Sequence, residues 1–192
     1  MATSPTRTVK NGGVKLKAGL VPGRGAVVVD TAIGRLGGAI CFDLNFEWLR
    51  KEYAALKPDI MLFPSMFHGR FVQQMWAYEC RSFFVASLSF HGGSILDPLG
   101  SSLADTHCCA NVAKARINLD RVIVHLDGNR EKFGAMQRQY GDDIGICIPR
   151  DMGSALIYSL SPHRTAMDIV QEFDLLLLDD YFARARDANR SA

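Results

Sequence analysis

The sequence predicts an α/β fold, and three observations carry that prediction. Short β-branched runs alternate with segments of helical periodicity, turn-forming residues punctuate the alternation, and 192 residues suffice for one good-sized core but not two. No repeat, low-complexity stretch or linker interrupts the chain, so residues 1–192 are read as one domain.

Residues 26–31 read as a strand, and a turn over 33–36 leads into a second strand over 36–42. Residues 45–57 read as a helix: Phe46, Leu49, Tyr53 and Leu56 share one face, Asn45 is placed to cap it, Glu47 suits its first turn, and Pro58 ends it. A buried strand over 60–63 and a helix over 71–83 follow, with Val72, Met75, Trp76 and Phe83 inward. Further strands are expected over 84–90, 94–97, 114–118, 122–125 and 155–159, with Asp97-Pro98-Leu99-Gly100 as a turn joining two paired strands. Residues 127–140 have helical character weakened by Gly128 and Gly134, residues 165–173 form a helix, and the tail from Tyr181 is a charged end.

Hydrophobic residues make up 48% and charged residues 22%, with a net charge of +2. That balance gives no electrostatic case for a nucleic-acid or membrane partner. No apolar run is long enough to span a bilayer, and the first ten residues lack the apolar segment of a secretory signal, so the chain reads as cytoplasmic. The five cysteines match no zinc-ligand spacing and are read as free thiols, with Cys108-Cys109 as buried packing. His68, His91, His107, His125 and His163 show no helical pairing and are read as structural or surface residues, so no metal is expected.

The segment from Gly34 to Phe46 is the most informative. It carries an apolar strand with two glycines, then Cys41, a short polar turn and a helix. A thiol at such a bend faces turn amides and a positive helix end, both of which favour thiolate. The amide of Phe42 is placed to face an oxyanion, and Gly37 and Gly38 permit close approach of a backbone or substrate. From the residues alone, Cys41 is either a structural buried thiol or a nucleophile.

An ordered set of motifs is similar to the nitrilase (carbon–nitrogen hydrolase) superfamily. Gly34-Arg35-Leu36-Gly37 followed by Ile40-Cys41-Phe42-Asp43 resembles its nucleophile segment, and Pro22-Gly23 and Val29-Asp30-Thr31 resemble the loop and strand before it. Pro58-Asp59-Ile60 running to Pro64, Glu79-Cys80-Arg81, and Gly92 to Gly100 resemble segments downstream, so the likeness covers residues about 9 to 125. The resemblance implies an αββα sandwich of two stacked sheets flanked by helices. It also implies hydrolysis of a non-peptide carbon–nitrogen bond in a small amide, carbamoyl compound or nitrile through a cysteine thioester, with no cofactor, often in a homo-oligomer.

Residue by residue, the resemblance makes Cys41 the nucleophile and the Phe42 amide an oxyanion donor. It puts Ser65, Met66 and Phe67 at the substrate pocket and Glu79 in a supporting role. Lys10 is the preferred charge-stabilising lysine, with Lys15 and Lys17 as alternatives. The family's general-base glutamate lies upstream of that lysine, yet no glutamate precedes Glu47. The expectation is an N-terminally truncated domain with exposed apolar surface. Amidase-type hydrolysis is favoured, with a degenerate, non-catalytic binding module as the alternative. A glutamine-amidotransferase type of site is set aside, because no histidine is followed two residues later by glutamate.

Overall fold

The computed structural model describes residues 23–66, 69–89 and 92–191. It is a mixed α/β fold with two sheets and flanking helices, divided into two compact units, Met1–Ile117 and Asn118–Ala192.

In the first unit, six strands run in sequence order: β1 (Val28–Thr31), β2 (Gly34–Gly38), β3 (Ile60–Ser65), β4 (Phe83–Leu88), β5 (Ser94–Leu96) and β6 (Ser102–Asp105). β2, β3 and β4 are parallel, while β1 and the pair β5–β6 add antiparallel edges. Helices α1 (Glu47–Leu56) and α2 (Arg70–Cys80) make the two parallel crossovers and bury Leu49, Tyr53, Trp76 and Ala77 against Met61, Phe63, Phe84 and Ala86. The alternation along β3 follows from its period of two: Met61 and Phe63 are buried, Leu62 and Pro64 exposed.

Several positions of the sequence motifs hold this scaffold. Arg35 donates to the carbonyls of Leu56 and Lys57 at the end of α1 and pairs with Asp30. Asp59 accepts the Arg35 amide at 2.9 Å through its carboxylate and donates its own amide to the Arg35 carbonyl. A Cβ on Gly37 would stand 2.5 Å from the Met61 sulfur and 3.1 Å from the Tyr53 ring, so that glycine admits side chains of the core rather than a substrate.

The second unit is built on an antiparallel sheet of order β7 (Arg121–His125), β9 (Ser154–Ser159), β8 (Ile144–Cys147). Val124, Ala155 and Ile157 pack with residues of α3 (Phe133–Tyr140) and α4 (Ala166–Glu172). Thr165 caps α4 by accepting the Asp168 amide, which starts the helix where the sequence expects it. Buried Asn129 donates to the carbonyls of His125 and Leu176 and accepts the Leu176 amide, fixing the entry to α5 (Leu178–Arg190).

The structure corrects several local expectations. Helix α1 begins at Glu47, capped by Phe46 with no side-chain bond, and Asn45 donates instead to the Phe42 carbonyl. Phe83 is not helical: Arg81 ends α2 in the left-handed conformation, and Phe83 then pairs with Ile60 in the sheet. The strand expected over 114–118 is irregular chain. The helix expected over 127–140 starts as α3 only at Phe133, after a positive-φ break at Gly128. The Asp97–Gly100 turn joins β5 to β6 in an antiparallel pair, as its residues predict, whereas strand β8 and helix α5 carry no strong sequence signal and are not expected. Cys108 and Cys109, expected in buried packing, are both exposed. Among the described residues, no helix is long and apolar enough to cross a membrane.

Candidate active site

Cys41 stands where the chain leaves β2 and enters a 3-10 turn, Cys41–Asn45. Its φ is +52°, in the left-handed region that a side chain with a Cβ adopts only at a cost. The surroundings enforce it. The Ala39 amide continues the sheet by donating to the Leu62 carbonyl at 3.0 Å. Fully buried Asp43 accepts the Ile40 amide at 3.0 Å through its carboxylate, and the Asp43 amide donates to the Ile40 carbonyl at 3.1 Å. Buried Tyr53 donates its hydroxyl to the Gly38 carbonyl at 2.6 Å. Burial raises the Tyr53 phenol above its ordinary range, so it remains a donor there. The bend is thus fastened on both sides of the half-buried thiol.

The expectation that the thiol faces the positive end of a full helix is corrected: the 3-10 turn separates Cys41 from α1. What the thiol adjoins is the opening of that turn, whose first amides have no partner within it. Among the described residues, the amide of Phe42 has no hydrogen-bond acceptor, and its ring projects outward against Phe46 at 5.7 Å.

Cys41 lines an open depression of about 490 Å³ with Ile40, Pro64, Ser65, Met66, Ser87, Leu88 and Ser89. The depression lies at the carboxyl ends of the parallel strands, the position where open α/β sheets place ligands. Ser65 and Met66, named from the sequence, are therefore beside Cys41. Ser87 and Ser89 were not, because nothing in the local sequence separates a strand-end serine facing a cleft from one facing solvent. Lys10, Lys15, Lys17 and Phe67 lie outside the described residues.

Glu79 is placed elsewhere. Its carboxylate receives Arg50 Nε at 2.7 Å between α1 and α2, and it is not among the residues that line the depression. Neighbouring Cys80 shows the contrast with Cys41: it is buried, its thiol meets the Arg50 carbonyl, and burial pushes its pKa up to about 12.

No protein-family model matches the chain. Among curated proteins, it is 29% identical to a deaminated glutathione amidase of Dictyostelium discoideum over 136 residues, which is 62% of this chain and 46% of that protein. The solved structures it is similar to include the NitFhit protein of C. elegans, with 21% identity, 70% of this chain, 38% of that one and a TM-score of 0.48. They also include Nit3 of Saccharomyces cerevisiae, a member of branch 10 of the nitrilase superfamily, with 24% identity, 45% of this chain, 38% of that one and a TM-score of 0.39. The chain resembles the nitrilase superfamily. Within that resemblance it spans about half the length of the curated relative it matches. The nitrilase-like nucleophile segment is the one that forms the strained bend, and the nitrilase-like glycine-rich segment forms β5 and the turn that Asp97 closes onto the amides of Leu99 and Ser101.

Proposed function

We propose that this chain carries the nucleophile of a carbon–nitrogen hydrolase that acts on small amides. The observation that carries the reading is the left-handed Cys41 at the carboxyl ends of parallel strands, open to a depression. Strained non-glycine backbone persists where the surroundings over-determine it, and such residues cluster at reactive sites.

The chemistry balances as follows. Cys41 Sγ bonds to the amide carbon and the carbonyl oxygen takes negative charge, which the Phe42 amide is placed to stabilise. The carbon–nitrogen bond breaks as the nitrogen takes a proton and departs as ammonia or an amine, leaving a thioester. Water then attacks the thioester, releasing the acid and the thiol. Proton transfer in both steps calls for a base, and the described residues of the depression offer no carboxylate or imidazole. On the family resemblance, Lys10 is the preferred lysine for charge stabilisation, with Lys15 and Lys17 as alternatives.

That same composition favours a second reading, a binding module that keeps the pocket without turnover. The two separate on one experiment. With iodoacetamide at neutral pH, Cys41 is expected to alkylate faster than exposed Cys147, Cys108 and Cys109, with buried Cys80 slowest. Labelling of Cys41 no faster than Cys147 would remove the nucleophile, and fast labelling without acyl transfer from activated esters would leave the binding module.

A further inference from the structure

After β6, the chain makes a two-residue turn that the proposed hydrolase chemistry does not use. His107 and Ala110 exchange both backbone hydrogen bonds, at 3.0 and 2.9 Å, which puts Cys108 and Cys109 at the two central positions. The stem below is fixed as well: the Thr106 amide donates to the Gly93 carbonyl at 2.8 Å, and the Gly93 amide donates to Thr106 Oγ1 at 2.9 Å. Tight turns favour Gly, Asn, Asp and Ser at such positions, each for a backbone reason that cysteine does not share. Neither cysteine has positive φ. Turn geometry therefore gives no account of two exposed thiols here, and burial gives none either.

The side chains converge. The sulfurs lie 3.6 Å apart, not disulfide-bonded, and one imidazole nitrogen and the two sulfurs all lie within 4.8 Å of one another. His107 Nδ1 accepts the Cys109 amide at 3.3 Å, which turns that edge of the ring toward the turn, and an ion ligated by Nδ1 takes the place of that hydrogen bond. A zinc–sulfur bond of about 2.3 Å in tetrahedral geometry sets its two sulfurs about 3.8 Å apart, close to the separation found here. The imidazole needs to close in by about 1 Å, which rotation of an exposed side chain supplies. Two thiols and an imidazole are a soft to borderline donor set. They suit zinc-class ions and disfavour magnesium or calcium, which require oxygen.

We propose that His107, Cys108 and Cys109 form a binding site for a thiophilic divalent ion of the zinc class. The three donors come from one pre-closed turn, and the fourth coordination position is left to water or an exchangeable ligand, as in open zinc sites. The turn orders the donors before the ion arrives, so binding costs little further chain entropy. The site is independent of Cys41 chemistry.

Cobalt(II) titration of the reduced 192-residue chain tests it. Tetrahedral cobalt bound through thiolates has intense visible bands and a sulfur-to-metal charge-transfer band. One equivalent is expected to develop both, and zinc is expected to bleach them. Cys41→Ser is expected to leave the spectrum unchanged, and Cys108→Ser with Cys109→Ser to abolish the charge-transfer band. His107→Ala is expected to weaken binding by more than about tenfold, as loss of a direct ligand should. Circular dichroism of each variant checks that the exposed turn tolerates the change. No charge-transfer band, or one that survives the double cysteine substitution or disappears in Cys41→Ser, overturns the proposal.

Discussion

The carboxylate of Asp43 receives the amide of Ile40 at 3.0 Å, closing a bridge over the strained backbone of Cys41 from inside the core. A residue two positions after Cys41 thus holds the bend instead of joining the cleft. Replacing it with Ala takes a charged acceptor from the half-buried Ile40 amide, at a cost of about 1–3 kcal/mol. Asp43→Ala is expected to lower urea stability by that amount and to slow Cys41 alkylation, with Asp43→Asn restoring part of both. An unchanged alkylation rate in a destabilised Asp43→Ala protein would show that the bridge serves folding alone.

The left-handed backbone at Cys41 predicts opposite effects on stability and reactivity. A non-glycine residue there costs about 1–2 kcal/mol, and glycine removes the clash while adding unfolded-chain entropy. Cys41→Gly is therefore expected to gain about 0.5–1 kcal/mol and lose all labelling at this position. Cys41→Ser, which keeps the Cβ, is expected to lose the labelling without the gain. Chemical denaturation of the three proteins compares them, and a Cys41→Gly variant less stable than Cys41→Ser would contradict strain at the bend.

Particular residues show how far the sequence is legible. The helix α1 face and the β3 run follow from apolar periods of 3.6 and 2, because burial against the same core imposes both. The placement of Cys41 beside Ser65 and Met66 came from ordered motifs. The role of Arg35 and Asp59 did not: a motif marks positions without saying whether they bind substrate or tie β2 to the end of α1. The Arg50 partner of Glu79 is not legible either, because helical spacing alone does not tell which neighbouring helix a charged side chain meets. Strand β8 was missed because Gly145 interrupts its pattern, and that glycine is there because a Cβ would collide with the Tyr158 ring. The thiols of the 107–110 turn were assigned to packing on the general burial of cysteine, a preference that a two-residue turn overrides.

Asp97 gives a pH dependence. Burial raises its pKa above the ordinary carboxylate value, against the lowering effect of the Ser101, Leu99 and Gly100 backbone bonds. An acid whose folded-state pKa exceeds its unfolded one binds its proton more tightly when folded. Its contribution is present below the unfolded value of 3.8 and lost as pH rises through the raised folded value. Asp97→Asn keeps an oxygen for the Leu99 and Ser101 amides but does not ionise. Relative to the wild type, the variant is expected to gain stability between about pH 4 and about pH 7. Urea denaturation at both values measures the difference, and a constant gap would show that burial does not dominate at Asp97.

In the second unit, Tyr181 of α5 lies flat on His125 of β7, with ring centroids 3.7 Å apart and planes 2° from parallel, and its hydroxyl donates to Asp127 at 2.8 Å. Along α5, Leu178 is buried, Tyr181, Phe182 and Ala183 are half-buried, and residues 184–190 are exposed, so the helix is held through its first turns. Such a helix has too little apolar area to dock by burial alone. Tyr181→Phe keeps the stack and loses one hydrogen bond, a loss of about 0.5–1.5 kcal/mol. Tyr181→Ala removes both and is expected to free the helix from its first turn onward. Amide hydrogen exchange distinguishes the two: in Tyr181→Ala, residues 181–190 are expected to exchange much faster while β7 and β9 keep their protection, because those strands are held by Val124 and Ile157 in the core. Equal acceleration in the strands would show that the stack supports the sheet as well as the helix.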